Sequence, residues 1–309
     1  MKISVIGCGA MGSIYAGYLA DAGNEVIAID TWKEHLFEIN KNGLTIEGPN
    51  NKKIIKNIKA SNNFALAQGS DLFIIATKTS QVRNATKNLS KFTNNLSPVL
   101  TIQNGLGSGE NVAQYIKKTN IILGVADGFG ASIIEPGHIH HNAMNLIRLG
   151  EMEPRDMYRV NEISQVWSKA GFTTKTFEDI NQLVWEKFIC NVTFSAPCTV
   201  YDCTLGELMA TPSLWAVALG CMREAYELGL KKGIKFSFSD PVKYVTQFGL
   251  SMQNARPSML LDHKERRLSE IDSINGMVCS MGTELEFSTP YNQALVSIIR
   301  SWEKKMENR

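Results

Sequence analysis

At 309 residues the chain is long enough for two domains, each with its own core. Hydrophobic residues make up 44% and charged residues 20%, ordinary for a soluble globular protein, and the formal net charge of +2 implies neither a nucleic acid nor a membrane partner. The longest apolar runs are too short to span a bilayer, and a first strand beginning at residue 2 leaves no room for a signal peptide, so a cytoplasmic location is expected.

The chain opens with a strand, Lys2–Ile6, followed by Gly7-Cys8-Gly9-Ala10-Met11-Gly12 and a helical run from Ser13 to Ala22. A second apolar run, Glu25–Asp30, ends in an acid. A lone GxGxxG is weak, but here it stands between a strand and a helix, with a second strand and a terminal acid to follow. That context makes it a dinucleotide-binding signature. Gly7 allows the tight turn, Gly9 leaves room for a pyrophosphate, and Gly12 lets the helix approach the sheet. The free N–H groups and positive end of the helix then hold the phosphates, with Cys8, Ala10 and Met11 completing the loop. The competing reading is a tight turn in an unrelated α/β protein.

Further strands are expected at Leu72–Ala76, Val99–Thr101 and Ile121–Val125, with helices at Lys33–Lys41 and Asn111–Lys117. This alternation predicts a doubly wound parallel sheet of Rossmann type. Leu44–Glu47 with Lys53–Ile58 reads as a hairpin that interrupts it. His138–His141 with Leu146–Leu149 reads as another, followed by a helix over Met157–Ala170. Near residue 178 the texture changes to long helices, which divides the chain into a dinucleotide-binding domain (1–178) and an all-helical substrate domain (179–309).

Ligands of open α/β sheets bind beyond the carboxyl ends of the strands. Two loops are expected there: Thr77-Lys78 and Gln103-Asn104-Gly105-Leu106-Gly107. Lys78 and Asn104 are therefore candidates for the nicotinamide end of a cofactor. The alternatives are a solvated loop lysine and a plain Asn-Gly turn.

In the helical half, Lys187, Asn191 and Ser195 fall at i, i+4 and i+8 and share one helix face. Their neighbours Val184, Trp185, Phe188, Ile189, Val192 and Phe194 make most of the remaining surface apolar, as in a buried helix. Burial favours the neutral amine of a lysine, which suits proton transfer. A lysine that snorkels to solvent is the other reading. In the segment Arg256–Gly276, Pro257 suits a first helical turn. Most charges there read as surface pairs, Asp262 with Arg266 and Arg266 with Glu270, although Glu270 sits at the more apolar end. His138 and His140 would share a face of an extended strand. No acid or cysteine stands at ligand spacing, so a strand with polar partners is preferred over a metal site. The six cysteines form no CxxC pair and are expected as buried, reduced thiols.

Taken in order, these segments resemble the ketopantoate reductases (2-dehydropantoate 2-reductases) over essentially the whole chain. The resemblance runs from Gly7–Gly12 through Thr77-Lys78, Gln103–Gly107, Glu135–His140, Trp185-Glu186-Lys187 with Asn191, and Gly206–Leu208. It ends with Ser258–Leu260 and Glu270-Ile271-Asp272 with Ile274–Gly276. It implies NAD(P)H-dependent reduction of 2-dehydropantoate to pantoate, on the route to pantothenate. Lys187 is implied as the general acid and Glu270 as the acid that orients the substrate hydroxyl. Asn104 and Asn191 are implied to position substrate and lysine, Ser258 to bind the substrate carboxylate, and Lys78 to lie near the nicotinamide and substrate. Closure of facing domains would exclude water from the reaction.

Two positions depart from the family pattern. Ser195, followed by Ala196-Pro197-Cys198, stands where a second asparagine is common, which leaves open a related reductase of a different branched 2-oxo acid. Asp30-Thr31 stands where NADPH-using members carry a basic residue. A carboxylate there favours NADH, while Lys33 keeps NADPH open. A non-catalytic dinucleotide sensor is the reading from another class. A homodimer through the helical domain is compatible with long apolar helices that leave surface to bury.

Overall fold

The computed structural model describes every residue except Asn50, Phe129, Asn308 and Arg309. The chain forms two compact units. The first comprises Met1–Gln103 and Ser108–Ile180; the second comprises Asn181–Arg309 together with the short segment Asn104–Gly107.

In the first unit, β1 (Lys2–Ile6), α1 (Ala10–Asp21), β2 (Glu25–Ile29) and α2 (Lys33–Asn42) follow in order. β3 (Leu44–Glu47), β4 (Lys52–Ile55), β5 (Ile58–Ser61), β6 (Leu72–Ile75) and α3 (Thr79–Leu89) come next. Then come β7 (Val99–Thr101), α4 (Ser108–Ala113), β8 (Ile121–Asp127), β9 (Gly130–Glu135) and β10 (His138–Ala143). β11 (Leu146–Glu151), α5 (Tyr158–Lys169) and β12 (Thr174–Thr176) complete the unit.

An eight-stranded sheet runs β12-β11-β8-β7-β6-β1-β2-β5. From β5 to β8 all pairings are parallel. With α1, α2 and α3 as crossovers, this is the doubly wound order, and it reverses between β1 and β6. β6 and β7 are buried along their whole length, which explains why they read as unbroken apolar runs. Beneath α1 and α5, Trp167 packs against Tyr15 and Phe172 with ring centroids 5.1 and 4.9 Å apart.

Three local expectations are corrected. His138–His141 and Leu146–Leu149 do not form a hairpin: β10 pairs with β9 and β3 in a separate four-stranded sheet. β11 instead pairs antiparallel with β8 in the large sheet, where Ile147 and Leu149 are fully buried. The apolar alternation of β11 therefore serves a different partner from the adjacent strand. The run Lys53–Ile58 also divides, since β4 pairs with β3 while β5 turns away to the edge of the large sheet beside β2. The helix expected at Asn111–Lys117 lies earlier, as α4.

The second unit is built from helices among its described residues: α6 (Ile180–Tyr201), α7 (Leu205–Ala210), α8 (Pro212–Lys231), α9 (Pro241–Ser251), α10 (Ser258–Lys264), α11 (Asn275–Glu284) and α12 (Pro290–Glu307). None of the described helices is long and apolar enough to cross a membrane. α6 buries Trp185, Phe188, Ile189, Val192 and Phe194, as its apolar circumference requires. Pro197 lies inside it and supplies no N–H to the preceding turn. α10 ends at Lys264, and Arg266 has φ +55°, so the helical i,i+4 pairs expected around Arg266 lose their premise. Asp262 accepts from Arg267 Nε at 3.0 Å instead of relying on helical spacing.

A buried polar network ties four helices of this unit together. Asn275 Nδ2 donates to Val192 O of α6 at 3.0 Å and to Asn292 Oδ1 of α12 at 2.8 Å. Asn292 Nδ2 donates to Glu224 Oε2 of α8 at 2.6 Å. The Glu224 carboxylate also accepts from the N–H groups of Tyr291 and Asn292 at 2.9 and 3.0 Å, satisfying the first turn of α12. Removing one partner of such a network strands several buried donors at once. Glu224→Ala is expected to lower unfolding free energy by about 3 kcal/mol, measured by urea denaturation. A loss below about 1 kcal/mol would show that the network is dispensable.

Candidate active site

The glycine loop leaves β1 at the point where the strand order reverses. Gly7 has φ +91°, and a Cβ there would stand 2.6 Å from Thr77 N, so both the turn and the neighbouring loop require glycine. A Cβ on Gly12 would stand 1.8 Å from Gly7 O. Helix α1 is thus pressed onto the turn that precedes it. A Cβ on Gly9, by contrast, would meet no atom within 4 Å. The first turn of α1 carries no acidic residue and no side-chain cap. Cys8, Ala10 and Met11 line this turn, and burial, then the Asp30 carboxylate, pushes the Cys8 thiol well above its usual range. It is a packing group.

Asp30 ends β2 beside the loop. Its Oδ2 accepts from Cys8 N–H at 2.5 Å, and its Oδ1 accepts from Thr31 N–H at 2.7 Å and Trp32 N–H at 2.9 Å. An anion is therefore fixed at the edge of the open space. Lys78 is exposed at the N-terminus of α3, one residue after Thr77, whose Oγ1 is buried with no hydrogen-bond partner. Open space before Gly9, helix N–H groups without a side-chain cap and an orphaned hydroxyl nearby fit a bound dinucleotide. Thr77 was visible in the sequence only as part of a loop. Its burial comes from Gly7 packing against it.

The second unit joins residues far apart in sequence. Leu106 N–H donates to Ser273 O at 3.0 Å. Gly105 has φ +82°, and a Cβ there would lie 2.2 Å from the same carbonyl. This docking carries Asn104 to Glu270, with Nδ2 3.5 Å from Oε2 across 166 residues of sequence. Glu270 is held in turn, because its carbonyl accepts from both the N–H and the hydroxyl of Ser273 at 3.1 Å. Ser273 and Asn275 thus position this segment from outside the residues singled out by sequence. The first anchors Leu106 and the second anchors α6 at Val192. Lys187 and Asn191 are half-buried on α6, one turn apart, and Ser195 is buried a turn further on. Ser258 is exposed at the start of α10 and stands outside the Asn104–Glu270 hydrogen bond.

His138, set aside as a metal ligand for want of acids at suitable spacing, does acquire carboxylate neighbours through the fold. Its Nε2 lies 3.0 Å from Glu47 Oε2 of β3, and its Nδ1 lies 3.6 Å from Glu135 of β9. Glu47 is a strand-to-strand partner 91 residues away, whereas Glu135 stands three residues before the histidine, across the β9–β10 turn.

Two family models cover most of the chain: ketopantoate reductase PanE/ApbA over residues 3–154, and its C-terminal counterpart over residues 179–303. The chain belongs to the ketopantoate reductase family. It is accordingly a member of a family of NAD(P)-dependent oxidoreductases. Among its relatives, a 2-dehydropantoate 2-reductase of Streptococcus pyogenes serotype M18 is 28% identical over 304 residues, covering 98% of each chain. One of Pyrococcus horikoshii is 29% identical over 306 residues, again covering 98% of each. Among solved structures, D-mandelate dehydrogenase in ternary complex with NADH and anilino(oxo)acetate matches with a TM-score of 0.91 at 25% identity, over 99% of each chain.

The glycines give this ketopantoate reductase family member a discriminating test. Gly9→Ala is expected to unfold within about 0.5 kcal/mol of the parent yet lose dinucleotide binding. Gly12→Ala is expected to lose about 2 kcal/mol or more of stability. Urea denaturation and NADH fluorescence titration measure the two effects. Undiminished NADH binding by Gly9→Ala would remove the phosphate site from this loop.

Proposed function

We propose that the protein reduces 2-dehydropantoate to pantoate with NADH, with Lys187 as the general acid. The observation that carries this reading is the meeting of Asn104 with Glu270, in the same unit as the Lys187–Asn191 face of α6. When bound, the reduced nicotinamide supplies the hydride. Negative charge then develops on the ketone oxygen, where the Lys187 ammonium stabilises it and delivers the proton. Glu270 accepts a hydrogen bond from the substrate hydroxyl, and Asn104, hydrogen-bonded to that carboxylate, fixes its orientation. Asn191 positions the substrate and the lysine from one helical turn away, Ser195 borders the substrate, and Ser258 binds its carboxylate. Lys78 lies beside the nicotinamide. The relatives named as 2-dehydropantoate 2-reductases support the choice of substrate.

Asp30 supports NADH over NADPH. Its carboxylate is held in place by three backbone N–H groups and would repel a 2′-phosphate, while it can accept from a 2′-hydroxyl. The D-mandelate dehydrogenase complex, which holds NADH, supports the same preference.

A second reading keeps the chemistry and changes the substrate. The TM-score of 0.91 to an enzyme complexed with anilino(oxo)acetate, together with the short Ser195 side chain, favours a bulkier 2-oxo acid.

A matrix of NADH and NADPH against 2-dehydropantoate and other branched or aromatic 2-oxo acids separates these readings. The highest kcat/KM is expected for NADH with 2-dehydropantoate, and a larger value for another 2-oxo acid selects the second reading. Lys187→Ala is expected to lower kcat by about 10²-fold or more; full turnover in that variant would remove the lysine from the mechanism. Asp30→Ser is expected to bring the affinities for the two cofactors together, and an unchanged preference would assign selectivity elsewhere.

A further inference from the structure

We infer that His35, acting through Ser13, is a positioning residue for dinucleotide binding: it sets the orientation of the Cys8–Gly9 peptide in the glycine loop. The inference rests on the cofactor reading above and adds to it a device inside the first unit.

His35 is fully buried on α2, and no step of the proposed reaction uses it. Its ring is placed from three sides. Trp32 stacks on it with centroids 4.6 Å apart and planes 6° apart. Gly137 N–H, in the turn between β9 and β10, donates to Nδ1 at 2.9 Å. Ser13 Oγ, in the first turn and a half of α1, lies 3.1 Å from Nε2.

These contacts dictate the tautomer. Nδ1 accepts from a backbone N–H and therefore carries no proton, so the neutral ring carries it on Nε2. Burial, opposed by the Asp30 charge, lowers the His35 pKa and keeps the ring neutral. Nε2–H then donates to Ser13 Oγ, and the Ser13 hydroxyl donates to Cys8 O at 2.8 Å. The relay is directional: imidazole to hydroxyl to loop carbonyl.

Its end point matters for binding. The peptide between Cys8 and Gly9 is trans and planar, so fixing the Cys8 carbonyl towards Ser13 turns the Gly9 N–H the opposite way. The N–H of Cys8 itself is taken by Asp30. Gly9 is also the loop residue with open space before it. Ser13 without His35 is free to rotate its hydroxyl, and the carbonyl loses its fixed donor. The histidine thus pre-organises one phosphate-facing N–H, which lowers the cost of ordering the loop on binding.

The two ring nitrogens can be separated by substitution. His35→Gln can retain a donor near the Nε2 position, while His35→Asn can retain only the acceptor near the Nδ1 position. NADH and, in parallel, NADPH are titrated by fluorescence against wild type, both His35 variants, Ser13→Ala and the His35→Asn/Ser13→Ala double variant. Urea denaturation monitors folding in each. His35→Asn and Ser13→Ala are each expected to weaken binding by roughly five- to ten-fold, the double variant by no more than either single one, and His35→Gln is expected to recover most of the affinity. Equal losses in the Gln and Asn variants, additive losses in the double variant, or unchanged affinity in Ser13→Ala would overturn the relay and leave His35 as core packing. A wild-type protein that binds neither dinucleotide overturns the cofactor reading and this inference with it.

Discussion

The contact between Gly105 and the carbonyl of Ser273 is the constraint on which the candidate chemistry depends. Leu106 N–H can reach that oxygen only because residue 105 has no Cβ, which would sit 2.2 Å from it. The four residues from Asn104 to Gly107 consequently belong to the helical unit, although the chain on either side belongs to the sheet. Asn104 reaches Glu270 by this route. The same turn, through Asn275, continues to Val192 of α6, one residue from Asn191. A backbone–backbone hydrogen bond and a missing methyl group thus carry a positional requirement from one end of the sequence to the other.

The first unit repeats the theme on its own scale. Close packing of Gly12 on Gly7 O and of Gly7 on Thr77 N leaves the loop little choice of path. Side chains then fix what steric exclusion leaves open: Asp30 holds the Cys8 N–H and Ser13 holds the Cys8 carbonyl. Both polar groups of one peptide-rich turn are committed to the protein, which is how a loop can present its remaining N–H groups without collapsing onto itself.

Both units bury polar groups, the first at His35 and Ser13 and the second in a larger network. The sheet unit stacks aliphatic layers around Trp167, Tyr15 and Phe172. The helical unit holds Glu224, Asn275 and Asn292 in its interior, linked by hydrogen bonds, while Asn275 Oδ1 has no partner. Pro197 leaves the ladder of this 22-residue helix one N–H short, opposite the Thr193 carbonyl, while Asn275 adds a donor one residue earlier, at Val192 O. The polar stripe of α6 thus has a buried framework behind it, with Asn275 gripping the helix backbone at Val192.

Much of this is legible in the sequence. The strand–glycine loop–helix–strand order is local, and Gly12 packs on Gly7 a few residues away, although the contact of Gly7 with Thr77 is not. The doubly wound sheet follows from alternating apolar strand runs and helices, and the helical character of the second unit from its long helix-like segments. The spacing of Lys187, Asn191 and Ser195 placed them on one face, because a helix fixes that relation without outside help. Pairing between distant segments was not legible. β10 and β11 are adjacent in sequence yet belong to different sheets, and Glu47, which meets His138, comes from β3. Asn104-Gly105 reads as a simple turn until Ser273 supplies the carbonyl that gives the turn its purpose. Local conformation can be read along the chain, because sterics and hydrogen bonding act within a few residues. Which distant polar groups meet is settled by packing, because a donor finds its acceptor in three dimensions and a linear pattern carries no record of that distance.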